Sequence, residues 1–302
     1  MYSILVILLL QGTLIIAHGF GYGRSEQLQW KNENFGCGGN LQSPIFVNSS
    51  TAVPMGMPAL EMIGYHTVLS GKLKLQNNGH SVALSMPEAN NNYIYQPEIP
   101  YIFGAMLDNE YQFEGLHFHW GETNNRGSEH ILNDVRYPLE MHLIHRNKKY
   151  PTIEMALKHK DGLTVLAVFF QLRETKYKPL DIILHHLSSV KKHNSDVIFN
   201  SNCKLESLLP EDTDIFYTYR GSLTTPPCSE VVTWIIFPDP ILISFEQMDM
   251  FRLLKGTNEL QLSNNYRHLQ PLGSRKVFVR KPGWKNSKHF TNGNFLKWIW
   301  YN

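Results

Sequence analysis

Apolar and polar residues alternate along much of this chain, while long helical periodicity is scarce. Lys72-Leu73-Lys74-Leu75-Gln76 alternates with a period of two, Asn77-Asn78-Gly79 supplies a turn signal, and His80 to Ser85 resumes as extended chain. Tyr111 to Trp120 and Leu139 to His145 read as further strands. Leu163 to Leu172 is an almost unbroken apolar run rich in Val and Phe, the pattern of a strand buried on both faces, and Val231 to Phe237 repeats it. Two short helices are predicted. One runs from Pro179 to Ser189, the other from Ser244 to Lys255, where Ser244 can cap the start and Gly256 can terminate the end. Together these elements predict an α+β fold led by β, one large sheet carrying a few short peripheral helices.

The two ends and the cysteines add context. Apolar runs from Ile4 to Leu10 and from Leu14 to Ala17 are interrupted by Gln11-Gly12-Thr13. They fall short of the about 20 residues that a membrane-spanning helix needs. Ala17-His18-Gly19 puts small residues where a signal peptidase reads them, so residues 1–19 read as a secretory signal peptide, despite the lack of an early Lys or Arg. The rest of the chain fits one domain, since β-rich folds run to about 250 residues unbroken. Val53 to Pro58 and Asn90-Asn91-Asn92 read as loops within it. A net charge of +2 argues against nucleic acid as a partner. In an oxidising compartment two of the three cysteines, Cys37, Cys203 and Cys228, would pair, and the sequence leaves all three pairings open. The remaining thiol is either buried or bridges two chains. Asn48-Ser49-Ser50 is a sequon for N-glycosylation.

Candidate chemistry centres on histidine. In Leu116-His117-Phe118-His119-Trp120-Gly121 the two imidazoles leave one face of a strand, with Phe118 on the other. The chain holds fourteen histidines, so this pair alone leaves open a metal site or an ordinary surface or core pair. His142 shares its strand face with Glu140, a carboxylate able to orient it, and with Ile144. Three neutral imidazoles with no fourth protein ligand describe an open, catalytic zinc site, provided the two strands are neighbours.

Six ordered motifs then carry a resemblance to the α-class carbonic anhydrases, from about Phe20 to about Lys281. They are Cys37-Gly38-Gly39-Asn40-Leu41-Gln42-Ser43-Pro44-Ile45, Asn77-Asn78-Gly79-His80, His117-Phe118-His119-Trp120-Gly121, Gly127-Ser128-Glu129-His130, Glu140-Met141-His142, and Gly221-Ser222-Leu223-Thr224-Thr225-Pro226-Pro227-Cys228. The resemblance implies a single domain at 20–281 built on a ten-stranded, mostly antiparallel twisted sheet, with zinc at the floor of a conical cleft. It implies reversible hydration of carbon dioxide to bicarbonate and a proton, and inhibition by sulfonamides. His117, His119 and His142 would hold the metal and Glu140 would orient His142. Thr224 and Glu129 would align the zinc-bound hydroxide, because a threonine hydroxyl both donates and accepts while an ionised glutamate only accepts. Thr224 and Thr225 would also contact substrate, beside an apolar wall of Ile144, Val165, Leu223, Val232 and Trp234. His80 would shuttle the proton, with Tyr22, Asn78 and Thr225 ordering the waters between. The secreted members imply a Cys37–Cys228 disulfide, leaving Cys203 as the odd thiol.

Two departures stand out. Gly115 replaces a glutamine that would take the outer ring proton of His117, and Ala83 replaces an asparagine of the water network. Glu114 lies on the wrong face of a regular strand to stand in. The extension at 282–302 holds Trp284, Trp298 and Trp300 among basic residues, and packing on its own domain or lack of fixed structure is favoured over membrane contact. A binding module of the same fold with little turnover is the alternative, although such proteins typically lose a zinc histidine and none is lost here. A cupin-type oxygenase, which also uses H-x-H, does not fit the later spacing.

Overall fold

The alternating runs pair into one extensive sheet in the computed structural model, which describes residues 20–87, 98–200 and 202–283. The leader, the Asn90-Asn91-Asn92 cluster and the tail from Trp284 lie outside the described residues. A continuous path of ten strands crosses the sheet. It runs Asp196–Asn200, Lys72–Asn77, Val82–Ser85, Tyr111–Trp120, Leu139–Asn147, Leu163–Arg173, Val232–Ile236, Phe216–Gly221, Phe278–Arg280 and Val53–Met55. Neighbours are antiparallel except Leu163–Arg173 with Val232–Ile236 and Phe278–Arg280 with Val53–Met55. Leu60–Ile63, Tyr101–Gly104 and Ile241–Ser244 join its margins. This is the mostly-β, single-domain α+β architecture expected.

Each face of the sheet has its own core, which is why the central strand is apolar throughout. Leu166, Val168 and Phe170 join Leu116, Phe118 and Trp120 against Ile183, Leu184, Leu187, Met248 and Phe251 of the two predicted helices. Leu163, Val165, Ala167 and Phe169 face the opposite side with Trp234 and Ile236. His117 and His119 project to that second side. The second helix, Phe245–Arg252, begins in a capping box: Ser244 Oγ accepts from Gln247 N at 3.2 Å, and Gln247 Oε1 accepts from Ser244 N at 3.1 Å.

Two expectations need correction, and one helix was missed. The helix ends at Arg252 with Leu253 as its cap, so Gly256 does not terminate it. Val53–Met55 is a strand rather than a loop. Pro54 is tolerated there because this strand is the end of the path, where one side of the backbone needs no ladder partner. A helix at Arg24–Glu33 was not predicted from the pattern; only Trp30 is buried along it, so it carries no apolar periodicity.

Candidate metal centre

Strand register builds the site. His117 lies opposite His142, and Ala83 lies opposite His117 on the other side. Two residues along each strand runs a second row, Gly115, Ile144, Val165 and Trp234, each opposite the next across three strand pairs. The first row brings together histidines that could hold a metal, and the second is an apolar wall.

Hydrogen bonds fix which nitrogen of two rings is free. His119 Nδ1 donates to the Asn265 carbonyl at 2.7 Å, leaving Nε2 with its lone pair. His142 Nε2 donates to Glu140 Oε1 at 2.7 Å, leaving Nδ1. His117 Nε2 lies 3.0 Å from His119 Nε2, and one ligand atom from each of the three histidines falls within 4.8 Å of the others. Burial, followed by the neighbouring imidazoles, lowers His117; the same causes push His119 down to about 3, and burial also lowers His142. All three rings are therefore held neutral, the form that binds a metal. The donor set fits a metal ion with room for an outside ligand.

Glu140 is fully buried and accepts four bonds: from Glu129 N at 2.8 Å, His130 N at 2.9 Å, His130 Nδ1 at 2.7 Å and His142 Nε2. Burial alone would raise its carboxyl, but His130 and His142 override that and hold it well below the usual carboxylate range. His130 Nε2 in turn lies 2.7 Å from the Tyr219 hydroxyl. His130, Glu140 and His142 also cluster closely enough to suggest a second metal set, but these bonds already occupy the carboxylate.

Glu129 is likewise fully buried. Its Oε1 accepts from Arg267 N at 2.7 Å, while Oε2, 3.5 Å from His119 Nε2, has no hydrogen-bond partner among the described residues. Burial pushes this carboxyl up to about 8, against the lowering pull of the Thr224 hydroxyl and the Arg267 amide. Thr224, Thr225, Leu223, Ile144, Val165 and Trp234 line the cleft above the histidines. Val232 is fully buried in the apolar cluster behind them and is not part of the cleft surface. Cys37 and Cys228 form a disulfide beside the Thr224 loop, and Cys203 is buried elsewhere, its thiol pushed up to about 12.

At the mouth, His80 stacks on Phe20 with ring centroids 4.0 Å apart and 12° between planes. Burial, then His193, pushes its imidazole down to about 4. Tyr22 and Asn78 line the same cleft. Burial, then Glu129, raises the Tyr22 phenol. Asn78 Oδ1 fixes the turn by accepting from His80 N and Ser81 N, both at 2.8 Å.

The departures are visible too. His117 Nδ1 has no hydrogen-bond partner among the described residues, while the other two histidines of the cluster each have one on the outer nitrogen. The strand is not regular at this point, since a bulge falls between Phe113 and Gly115, and Glu114 Oε1 accepts instead from Arg146 Nε at 2.7 Å. Sequence reasoning missed Phe20, Asn265, Arg267 and the His130–Tyr219 link. Only His130 stood within a recognised motif; Asn265 and Arg267 contribute backbone groups to the site, which no side-chain motif reports.

Comparisons with known proteins agree with this geometry. The family model described as eukaryotic-type carbonic anhydrase matches residues 25–281. Carbonic anhydrase 7 of Homo sapiens is 35% identical over 269 residues, covering 86% of this chain and 96% of that protein. Carbonic anhydrase 6 of Canis lupus familiaris is 32% identical over 274 residues, covering 87% and 81%. The match spans the histidine cluster, Glu129, Thr224 and both cysteines of the disulfide, and the chain belongs to the eukaryotic-type carbonic anhydrase family.

Proposed function

We propose that this protein catalyses the reversible hydration of carbon dioxide to bicarbonate and a proton, using Zn²⁺ held by His117 Nε2, His119 Nε2 and His142 Nδ1. The observation that carries this reading is the convergence of three neutral imidazoles on the floor of an apolar-walled cleft, with buried Glu129 alongside. When bound, Zn²⁺ supplies a Lewis acid that lowers the pKa of coordinated water to about 7, and its charge favours the ionised form of Glu129.

The chain's own residues do the rest. The Thr224 hydroxyl gives its hydrogen to Glu129, which when ionised can only accept. Its oxygen is then left to accept a hydrogen from the reacting water and turn a lone pair towards substrate. Ile144, Val165, Leu223 and Trp234 exclude water around apolar carbon dioxide, while Thr225 offers a hydroxyl beside them. His80, neutral at pH 7, accepts the released proton through waters ordered by Tyr22 and Asn78. Water in the space beside Gly115 accepts a hydrogen bond from the His117 Nδ1–H.

The same reading places the mature domain at 20–281, following removal of the leader, in the secretory pathway. The Cys37–Cys228 disulfide supports it. So does Asn48, which sits in a turn with its Oδ1 accepting from Ser50 N at 2.9 Å and Ser50 Oγ at 2.7 Å; it is assigned as the glycosylated residue. The test is zinc content with stopped-flow hydration. A zinc-loaded protein showing no sulfonamide-sensitive rate above background would overturn the proposal.

A further inference from the structure

A second imidazole lies against the turn that carries His80. The Asn77–His80 turn is clamped between two loops: Asn77 N donates to Ser195 O at 3.0 Å, Asn194 N to Asn77 O at 2.9 Å, and Asn77 Nδ2 to Lys255 O at 3.0 Å. Gly79 has φ of +85°, and its missing side chain leaves the space that His193 fills. A Cβ built there would lie 2.6 Å from His193 Cδ2 and 3.0 Å from His193 Nε2. The His193 ring therefore rests on the residue immediately before His80. His80 lines the cleft and His193 does not; His193 is half-exposed.

We infer that His193 is a second proton-carrying station, taking the proton from His80 and handing it to solvent buffer. The inference rests on the hydration reading above. In each turnover His80 gains one proton from the cleft and gives one up to His193, which loses one to a buffer base, so neither ring keeps a charge. Three observations support this direction. Phe20 holds the His80 ring by stacking, so it is kept at the mouth rather than over the histidine cluster. His80 is a weak proton holder in that position, partly through His193 itself, so a proton arriving there is readily passed on. The other charges on the two clamping loops do not compete as acceptors: Lys191 and Lys192 are exposed cations, Lys255 lies 4.0 Å from Glu259, and Asp196 lies 3.8 Å from Lys74. On the cleft side the facing titratable group is the Tyr22 phenol, held in its neutral form.

The test is hydration kinetics of His193→Gln, His80→Ala and the double variant in weak buffer, with and without added imidazole. His193→Gln should lower kcat on the order of tenfold, less than the about 100-fold that loss of a full acid–base group costs. It should leave kcat/KM in place, regain kcat with imidazole, and add nothing to His80→Ala. The His80 titration followed by proton NMR should move upwards in His193→Gln, because a neighbouring positive charge has gone. A loss of equal size in the His80→Ala background, a loss that imidazole cannot restore, or an unchanged kcat would each overturn the relay. Absence of hydration in the parent protein is a different result and would overturn the function itself.

Discussion

Replacing Glu140 by Gln should weaken zinc binding and the fold together, by amounts that can be measured separately. The glutamate is fully buried and its two oxygens receive four N–H groups, two from the backbone of Glu129 and His130 and two from the rings of His130 and His142. Glutamine has nearly the same shape but one acceptor oxygen, and its NH₂ must face a pair of donors whichever way it turns. One backbone pair or one ring pair is then left unsatisfied. Each orphaned buried donor costs about 1–3 kcal/mol. Two such donors cost about 2–6 kcal/mol, and part of that is returned because a buried charge has also been removed, so a net loss of about 1–4 kcal/mol of folding free energy is expected.

Zinc affinity is the more specific readout. If the amide turns its nitrogen towards His142, that ring loses the acceptor that commits Nε2 as donor and leaves Nδ1 for the metal. Loss of such an orienting partner costs about 10- to 100-fold in affinity. Chelator competition on protein shown to be folded by near-UV circular dichroism measures this, and urea unfolding of the metal-free form measures the first effect. A folded Glu140→Gln protein that binds zinc within twofold of the parent would refute the assignment of Glu140 as the residue that orients His142.

Gly115→Gln should tighten zinc about tenfold by giving His117 Nδ1 a protein acceptor; unchanged or faster loss of zinc to a chelator would show that this space was already filled better. The metal-free protein should lose stability as pH falls below 6.5. His119 and His145 are pushed down to about 3 and His80 to about 4, chiefly by burial, so the unfolded chain binds these protons first and each adds a slope of about 1.4 kcal/mol per pH unit. Glu129, raised to about 8, opposes them with one proton, stabilising as pH drops from 8 towards 4.5, so the net fall in urea midpoint should appear between pH 6.5 and 5; an unchanged midpoint would contradict it. Cys228→Ser opens a loop with a sequence separation of 191, which should cost about 2–5 kcal/mol in urea unfolding.

The candidate ligands were legible in the sequence because strands have a fixed side-chain period. His117 and His119 had to share a face, and Glu140 had to share one with His142. Whether those faces met depended on register, and the His117–His142 pairing is set by contacts between strands that no local pattern encodes. The family motifs supplied that missing step. Helix Arg24–Glu33 stayed hidden for the opposite reason, since it packs through Trp30 alone and leaves no period to read.

The limit of such reading is sharpest around Gly115. Strict alternation would place Phe113 and Leu116 on opposite faces, yet both lie in the core that packs on the helices. The bulge between Phe113 and Gly115 reconciles them by adding one residue and reversing the phase. Gly115 thus stands in the row beside Ile144, on the side that His117 faces, and the extra residue, Glu114, is drawn off to Arg146. The backbone therefore provides the place for a partner to His117, while the side chain that would fill it is missing. His119 shows the contrasting solution: its outer nitrogen is held by the carbonyl of Asn265, a group that every residue carries. Substitution at Asn265 cannot remove that carbonyl, whereas a protein partner for His117 on this side depends on which side chain occupies position 115. Position 115 beside His117, like Glu140 beside His142, is therefore a place where sequence change can tune metal retention without altering a histidine of the cluster, whereas the His119 limb offers none through Asn265.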